Sequence, residues 1–425
     1  MIIEFSVKNF RSIKEQQTFS LVKGKGDEMA EMNSFTPPAR SSVTLLHSCA
    51  IYGANASGKS NLIRAMATMR KIIISSARDT QRGDDLPVEP FLFSDESKNQ
   101  PTEFEIIFIA GGVRYQYGFS LTQKRIHEEW LLAYPEGRLQ RWLSRVFVAE
   151  TNSYVWKTSR YLEGKKQMWQ EATRPNALFL STAILLNSEQ LQPIYDWFAE
   201  FFHVIQNEGL NQGFTASLCK KDGYKQKVMS FLKSADLDIQ DFEMESAIFD
   251  SDKVKFLDDI PDALKDMLVE KLKNEELANI KTVHRSDQGK VVYLDMDNES
   301  DGTQKLFAFA GPIIDVLEKG YVLFVDELHN HLHPKMVFFL VALFHNPKTN
   351  PKNAQLIFTT HETSILNQEI FRRDQIWFCE KDDNQCTVLY PLSDFSPRKG
   401  AENLERNYLA GRYGALPYIR TLWEI

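Results

Sequence analysis

The sequence lacks the features that place a chain in a membrane or outside the cell. No uninterrupted apolar run reaches the roughly eighteen residues of a membrane-spanning helix. The first residues alternate apolar and polar side chains like a strand, rather than forming the charged and then apolar pattern of a secretion signal. Four scattered cysteines form no Cys-X-X-Cys pair, so free thiols in a reducing compartment are expected. We therefore expect a cytoplasmic protein that has no membrane partner.

The composition also lacks a surplus of basic residues. Fifty lysines and arginines face 57 aspartates and glutamates, and the formal net charge is -7. Bulk attraction to nucleic acid is therefore not expected, and only a local basic patch could supply it, so a DNA contact is left open. With 43% hydrophobic residues and a length of 425, the chain can bury a large core. Its length predicts two lobes or a core with an insertion.

Apolar periodicity divides the chain into three parts. Residues 1–152 read as strands with one helix, and Gly111-Gly112 between two of these strands predicts a hairpin. Residues 289–425 again alternate helices with buried strands, which are predicted at 321–325, 355–360 and 375–379. Residues 153–288 carry apolar side chains at helical spacing, for example at 191–202, 225–237 and 263–277, which predicts a compact helical insertion. The two outer parts are predicted to form one split α/β domain. No repeat of fixed period and no long heptad array is present.

The strongest motif follows a short apolar run at 45–52. The pattern GxxxxGK[ST] of a P-loop is matched by Gly53-Ala54-Asn55-Ala56-Ser57-Gly58-Lys59-Ser60. Such a loop wraps backbone N–H groups around phosphate oxygens, its lysine neutralises the β- and γ-phosphates, and its serine hydroxyl binds Mg²⁺. A helix is predicted from Asn61 to about Ser75, and its N-terminus adds positive potential. The predicted ATP contacts are therefore Asn55, Ala56, Ser57, Gly58, Lys59 and Ser60.

A second motif lies far downstream, where the apolar run Val322-Leu323-Phe324-Val325 ends in two carboxylates. This is the arrangement of a Walker B strand. Asp326 is predicted to hold Mg²⁺ together with Ser60. Glu327 is predicted to orient and polarise the attacking water as a catalytic residue. An acidic pair after a strand can also be a plain surface turn, and the P-loop upstream is what favours the catalytic interpretation.

Two further motifs stand in the order known from ABC ATPases. Glu299-Ser300-Asp301-Gly302-Thr303 resembles the ABC signature motif, in which a serine and glycine amides contact the γ-phosphate held by the opposite subunit. Ser300 and Gly302 match that motif, whereas Asp301 replaces its usual first glycine. The alternative is a plain helix start capped by Ser300 or Asp301. His361, after the apolar run 355–360, stands where ABC heads place a switch histidine, and a structural histidine is the alternative.

Three alternate histidines, His329, His331 and His333, would share one side of a strand and could then bind zinc. Pro334 and the preceding Walker B motif favour a different interpretation. In it the segment is a loop at a subunit interface that leads into a helix.

Four motifs in this order, with an insertion after the P-loop, resemble the RecF/SMC-type branch of ABC ATPases. Within that branch the chain is similar to the RloA-like ATPases of bacterial defence loci, a group that includes the ATPase subunit of the PARIS antiphage system. The resemblance covers both ends and the core, and it is weakest over residues 153–288. The segments that carry it are Phe5-Ser6-Val7-Lys8-Asn9-Phe10-Arg11-Ser12-Ile13, the block from Glu327 to Pro334, Arg372-Arg373-Asp374-Gln375-Ile376-Trp377-Phe378, and Tyr408 to Pro417.

The resemblance implies an ABC-type (RecF/SMC-like) ATPase head of the α/β class, with a split mixed sheet and a helical insertion. It implies ATP and Mg²⁺ as ligands and adds Arg11, Ser300 and Gly302 to the ATP contacts. A homo-oligomer is implied, at least a head-to-head dimer, with a hexamer as the larger alternative. The resemblance further implies a phage-encoded trigger and a separate toxic effector, such as a TOPRIM-type nuclease, because no TOPRIM-like acidic cluster follows the ATPase motifs here.

Two other functions compete with that of a defence ATPase. One is a RecF-like ATPase of DNA repair. The negative net charge and the lack of a long coiled coil argue modestly against it. The other is a scaffold that holds ATP with little turnover, against which the intact Glu327 counts.

Overall fold

The computed structural model describes residues 1–39, 43–205, 210–247, 277–398, 400 and 402–417. The chain divides into two compact units. The first comprises Met1–Asn207, Val316–Asn330 and Val337–Ile425, and the second comprises Glu208–Asp315 and His331–Met336.

A parallel sheet forms the centre of the first unit. Its strands are β5 (Ser48–Tyr52), β11 (Phe202–Ile205), β15 (Val322–Val325), β16 (Gln355–Thr359), β17 (Ile376–Lys381) and β18 (Thr387–Pro391). The order is β11-β15-β16-β5-β17-β18, and every neighbouring pair is parallel except β17 with β18. Continuous apolar runs such as β5 and β15 suit strands that are covered on both faces. The three buried strands predicted downstream of residue 320 are confirmed.

The first unit also contains an antiparallel sheet of seven strands. They are β1 (Ile2–Lys8), β2 (Gln17–Ser20), β6 (Thr102–Ala110), β7 (Val113–Leu121), β8 (Ile126–Tyr134), β9 (Gln140–Val148) and β10 (Ser153–Thr158). The order is β10-β9-β8-β7-β6-β1-β2. Gly111 and Gly112 both have positive φ at the predicted hairpin, which an L-residue adopts less readily. A short pair, β3 (Ser34–Phe35) with β4 (Leu45–Leu46), completes the strands of this unit.

Helices fill the connections between these strands. They are α1 (Ala30–Asn33), α2 (Lys59–Ser75), α3 (Asp95–Lys98), α4 (Lys166–Ala172), α5 (Phe179–Leu185), α6 (Gln192–Asp196), α7 (Gln212–Cys219), α8 (Tyr224–Ser234), α9 (Asp301–Lys319), α10 (Pro334–His345) and α11 (Leu404–Leu409). A π-helical turn, Trp197–Phe201, continues α6. In α2, Leu62, Met66, Met69 and Ile73 recur at helical spacing and are buried in the main core.

The second unit combines helices with a three-stranded antiparallel sheet. The strands are β12 (Asp241–Ala247), β13 (Leu277–Arg285) and β14 (Val291–Asp295), in the order β12-β13-β14. Phe242 of β12 packs edge-on against Phe307 of α9, with 5.2 Å between ring centroids. This contact joins the sheet to the helix inside the unit.

Helix α9 continues through Pro312 because Thr215 repairs its hydrogen-bond ladder. A proline has no N–H, so the carbonyl four residues earlier, that of Ala308, loses its partner. The Thr215 hydroxyl lies 3.2 Å from this carbonyl and 2.9 Å from that of Phe307, and it accepts a bond from the backbone N–H of Gly311 at 3.0 Å. The buried Thr215 side chain therefore holds α7 against α9.

The helical interpretation of residues 153–288 is wrong for a large part of that region. Residues 153–158 form the outermost strand of the seven-stranded sheet, and residues 202–205 form an edge strand of the parallel sheet. The compact second unit begins at Glu208, not at residue 153, and extends to Asp315. The reason is tertiary pairing, since Ser153–Thr158 has a neighbour to pair with in β9, and its side chains are alternately exposed and half-buried. The helices predicted at 191–202 and 225–237 are confirmed in α6 with its π-helical turn and in α8, whereas residues 263–276 lie outside the described residues.

The basic motif at 372–378 fastens a loop to the parallel sheet. The fully buried Arg372 side chain pairs with Asp374 at 2.7 Å and donates to the carbonyl of Glu28. Arg373 pairs with the Glu28 carboxylate at 2.8 Å. The motif therefore has a structural role, because these contacts position the 24–28 loop beside the start of β17.

The C-terminal segment is held by aromatic packing on the same strand. Tyr408 and Tyr413 stack on Phe378, with centroid distances of 5.4 and 5.7 Å. All four cysteines are buried free thiols. In the part of the chain that the structure describes, every helix is too short or too polar to cross a bilayer.

Candidate functional site

The P-loop joins the central strand β5 to helix α2, as the sequence predicts. All five residues of β5 are buried, and α2 begins at Lys59 directly after the loop. The first turn of a helix has backbone N–H groups with no acceptor inside the helix, and these groups carry a partial positive charge. The loop therefore presents donors at the carboxyl end of a parallel strand, where phosphate groups bind in such sheets.

Gly58 gives this loop a shape that no other residue allows. Its φ is +111°, which L side chains rarely adopt, and a Cβ there would collide with the hydroxyl of Thr387. Ala56 also has a positive φ, of 61°. The backbone of the loop is thus held in a conformation whose cost is met by the surrounding contacts.

Two buried hydroxyl groups and one half-buried amide brace the loop from behind. Thr387 donates to the carbonyl of Ser57 at 2.9 Å, so its oxygen accepts from Ser12 at 2.7 Å. Ser12 in turn accepts from the Asn61 amide at 2.7 Å. The Ser12 of the N-terminal motif therefore positions the P-loop, and strand β18 supplies the other side of the brace.

Lys59 is 95% buried and turns its ammonium group back toward the loop. Its Nζ donates to the carbonyls of Gly53 at 2.8 Å and Ala54 at 2.9 Å. Burial lowers the pKa of Lys59, and the nearby carboxylates of Glu327 and Asp326 oppose that shift. The lysine charge and the two Walker B carboxylates thus act on one another across the site.

Walker B carboxylates are held by a neighbouring strand and by their own loop. The hydroxyl of Thr359 on β16 donates to Asp326 Oδ1 at 2.7 Å and accepts from the backbone N–H of Glu327 at 2.7 Å. Glu327 has a φ of +52°, an unfavourable conformation for a glutamate. The Asn330 amide donates to Glu327 Oε2 at 3.1 Å. The Glu327 carboxylate is therefore aimed by backbone strain and by a side-chain hydrogen bond.

His361 follows β16 and lies on the same cavity as Glu327. Burial lowers its pKa to about 4, and the charge of Lys59 and the nearby His329 add to that shift. Its ring lies 5.5 Å from the ring of His329 in an edge-to-face contact. A neutral imidazole has one donor and one acceptor nitrogen, so His361 can donate to a phosphate oxygen without carrying charge.

These parts enclose a cavity of about 500 Å³. It is lined by Asn55, Ala56, Ser57, Gly58, Lys59, Ser60, Asn61, Arg64, Glu327, His361 and Lys381. Every predicted P-loop residue and both predicted catalytic residues are thus brought together. Asp326 does not line the cavity, and its Oδ1 accepts a hydrogen bond from the Thr359 hydroxyl. Arg11 does not line it either and instead pairs with Glu89 at 3.0 Å on the surface.

Comparison with known proteins identifies the family of this site. The model of the family described as "AAA domain, putative AbiEii toxin, Type IV TA system" matches residues 49–367, which is about three quarters of the 425 residues. The chain belongs to this family. The matched range contains the P-loop, Walker B and His361. No protein in the curated set matches the chain.

Among solved structures, the chain is similar to SMC head domains. One is the SMC head domain from Thermotoga maritima, at 14% identity and a TM-score of 0.41, covering 92% of this chain and 98% of that one. The other is an SMC head bound to the C-terminal winged-helix domain of ScpA, at 15% identity and 0.41, covering 92% and 97%.

This member of the AAA-domain family has an α/β fold whose nucleotide-binding motifs follow strands of one sheet. The strand before the P-loop, the Walker B strand and the strand before His361 are β5, β15 and β16, which are three of the six strands of one parallel sheet. Motifs more than 260 residues apart in sequence therefore end at one edge of that sheet. The chain is accordingly a P-loop protein of this AAA-domain family.

The signature segment lies in the second unit, at the start of α9. Ser300 accepts from the backbone N–H of Thr303 at 3.2 Å and thereby caps the helix, which is the role the alternative interpretation gave it. Asp301 has no positive φ, so the first glycine of the usual motif is not required here. A Cβ on Gly302 would lie 3.1 Å from the carbonyl of His331, which makes glycine the best fit at that position.

The three alternate histidines are not on one strand. The segment after Glu327 forms turns, and each histidine has its own contact. His329 lies against His361, His331 pairs with Asp301 at 3.2 Å, and His333 accepts from the backbone of Lys335. Within the described ranges, no group of three or more metal-binding side chains is present.

The residues at the P-loop fit a nucleotide with Mg²⁺. Thr387 lies so close to Gly58 that there is no room for a side chain at this position. The buried Ser57 hydroxyl has no hydrogen-bond partner among the described residues. Ser60 and Asp326 supply the hard oxygen ligands that Mg²⁺ prefers, and this ion keeps its other positions for water and phosphate.

Sequence reasoning missed Asn61, Arg64, Lys381, Asn330 and Thr387. Arg64 lies one turn after Ser60 on α2, so helical spacing could have found it. Asn330 lies within the Glu327–Pro334 block, but no residue type or spacing there gave it a role. Only the folded chain brings Lys381 and Thr387 to the P-loop.

Proposed function

We propose that the chain binds and hydrolyses ATP at sites formed between two copies of itself. The observation that carries this proposal is the cavity of about 500 Å³ shared by Lys59, Glu327 and His361. It combines a phosphate-binding loop, a carboxylate and a neutral histidine. This is the set needed to hold a triphosphate and to activate water beside it.

Each group has a separate task in the proposed reaction. Mg²⁺, held by Ser60 and Asp326, would neutralise charge on the phosphates. Glu327 orients the attacking water and accepts its proton as the oxygen approaches phosphorus. Asn330 keeps the Glu327 carboxylate in place. His361, neutral near pH 7, donates a hydrogen bond toward the γ-phosphate and stabilises the charge that develops there.

A second copy would complete the site. Ser300 and Gly302 do not line the cavity within one chain, and the resemblance to ABC ATPases assigns them to the γ-phosphate of the opposite subunit. We propose a homo-oligomer, at least a head-to-head dimer, with a hexamer as the larger alternative. In this arrangement Ser300 keeps its capping contact while the start of α9 offers backbone N–H groups to the phosphate.

Mixing two inactive variants tests the shared site. Ser300→Arg should leave ATP binding by single chains intact and block turnover, and Lys59→Ala should block binding. In a mixed dimer the P-loop of the Ser300→Arg chain meets the signature of the Lys59→Ala chain, so one working site results. Recovered turnover supports sites in trans. A mixture as inactive as its parents, together with disulfide crosslinks showing that the dimer forms, would contradict an independently working trans site.

We further propose that the ATPase is the sensor or regulatory subunit of a bacterial defence module, similar to the ATPase subunit of PARIS. The family description names a toxin and a type IV toxin–antitoxin system, which supports a partner encoded nearby. The partner would be a toxic effector such as a TOPRIM-type nuclease, and a phage product would be the trigger.

Partner binding in two nucleotide states tests that role. The effector encoded beside the gene should bind with different affinity to Glu327→Gln with ATP and to the wild type with ADP, because equal affinity shifts no equilibrium. Charge reversal at the exposed Lys233, which forms no ion pair among the described residues, probes whether the second unit is the docking surface. If neither state binds the effector but both bind DNA ends, the RecF-like repair function is favoured instead.

A further inference from the structure

We infer that Lys381 is a nucleotide-binding residue that contacts the α- and β-phosphates from the side of the P-loop opposite Glu327 and His361. The inference rests on the proposed ATP site and extends it. Lys381 lies beyond residue 367, where the family match ends, and belongs to none of the sequence motifs.

The register of the β17–β18 hairpin places Lys381 beside the P-loop. Lys381 is paired with Thr387 across these two antiparallel strands. Residues directly opposite each other in such a pair extend their side chains to the same face of the sheet. Thr387 uses that face to bond the Ser57 carbonyl and to abut Gly58. Lys381 therefore points toward the same loop, and its side chain lines the cavity.

The strand order fixes which part of the nucleotide Lys381 can reach. In the order β15-β16-β5-β17, the P-loop follows β5. Glu327 follows β15 and His361 follows β16, both on one side of β5. Lys381 ends β17, on the other side. The residues that act on the bond to the γ-phosphate and the lysine thus approach from opposite sides, so Lys381 faces the phosphates that remain after hydrolysis.

The charges around the cavity give the lysine a task. Its lining contains three cationic side chains, Lys59, Arg64 and Lys381, and one carboxylate, Glu327. Lys59 is engaged by carbonyls of the loop, and Arg64 lies 3.4 Å from the Asn61 side chain. Lys381 is exposed and forms no ion pair with any described residue. Its ammonium group is free to donate to phosphate oxygens, a charge-assisted contact.

The test measures Mg–ATP and Mg–ADP affinity for wild type and Lys381→Gln by calorimetry, with kcat measured in parallel. We expect about a tenfold loss of affinity for both nucleotides and a kcat within about twofold of wild type, because the contact exists before and after hydrolysis. Lys381→Arg should recover most of the affinity. Lys71→Gln, which removes an exposed lysine from α2 away from the cavity, is the matched control and should behave as wild type.

Three results would overturn the inference. Unchanged affinity for both nucleotides would show that Lys381 makes no contact, and a loss confined to ATP would place it at the γ-phosphate. Equal losses of nucleotide affinity in Lys381→Gln and Lys71→Gln would show that the effect comes from the change in net charge and not from a contact. A wild-type protein that binds neither nucleotide would refute the proposed ATP site itself, so the two failures are distinguishable. Melting curves of both variants verify that the folded state is kept.

Discussion

The amide nitrogen of Asn330 lies 3.1 Å from Oε2 of Glu327, and it donates a hydrogen bond to that carboxylate. Glu327 has a left-handed backbone, with φ at +52°. The two residues are three apart in a tight turn, so the loop itself aims the carboxylate. The sequence analysis gave Asn330 no role of its own, yet it acts on the residue to which hydrolysis is assigned.

Glu327→Gln should keep ATP binding and lower kcat by at least about 100-fold, or about 2.7 kcal/mol of barrier, because the amide cannot accept the proton from water. Asn330→Ala should lower kcat by about tenfold and leave KM near its wild-type value, because it loosens the carboxylate without removing it. Steady-state kinetics measure both. A rise in KM at constant kcat for Asn330→Ala would instead assign Asn330 to binding.

Lys59→Ala should abolish tight ATP binding. The buried ammonium group is the cation closest to the centre of the loop, and it can exchange its two carbonyl contacts for phosphate oxygens. Titration with a fluorescent ATP analogue measures the effect. Retention of near wild-type affinity would refute the P-loop assignment.

Gly58→Ala should weaken ATP binding by at least about tenfold, because a Cβ at this position displaces Thr387 and distorts the loop. Gly83→Ala is the matched control. Gly83 has a similar φ of +99°, but a Cβ there meets nothing within 4 Å. The control should lose about 1–2 kcal/mol of stability from backbone strain alone and keep its ATP affinity. Equal ATP affinity in the two variants would show that the contact with Thr387 does not shape the site.

Acid should destabilise the protein partly through His345. Burial lowers its pKa to about 3, and the nearby His47 adds to the shift. In the unfolded chain the pKa is about 6.5, so between these values the unfolded state binds a proton that the folded state cannot. Stability therefore falls as pH drops through this window. From pH 7 to pH 5 this one group accounts for about 2 kcal/mol.

Urea unfolding at pH 7 and pH 5 measures this contribution. His345→Gln should lower the free energy of unfolding at both pH values, because it disturbs the hydrogen bond to Ser48. The drop in this free energy from pH 7 to pH 5 should be smaller in the variant than in the wild type. His333→Gln, at an exposed position, is the control and should keep the wild-type dependence. An unchanged loss in His345→Gln would contradict the assignment.

The sequence by itself determined the parts whose signal is local. The strand, loop and helix around Lys59 are contiguous, and their glycines and apolar residues specify them without help from distant segments. The hairpin at Gly111 and Gly112 and the apolar strand before Asp326 are local in the same sense. For these segments, the spacing of apolar residues and the residue types in the turns predict the same elements that the fold contains.

Only the tertiary structure decided the rest, because it depends on which strands become neighbours. Residues 153–158 read as part of a helical region, and pairing with β9 made them a strand. Lys381 and Thr387 reach the P-loop because β17 pairs with β5, although more than 300 residues separate these strands in sequence. Burial also depends on long-range contacts. Arginine is usually a surface residue, yet Arg372 is enclosed by Asp374 and by the backbone of a loop about 340 residues earlier. Pairing and burial are set by contacts across the whole chain, and local periodicity does not encode them.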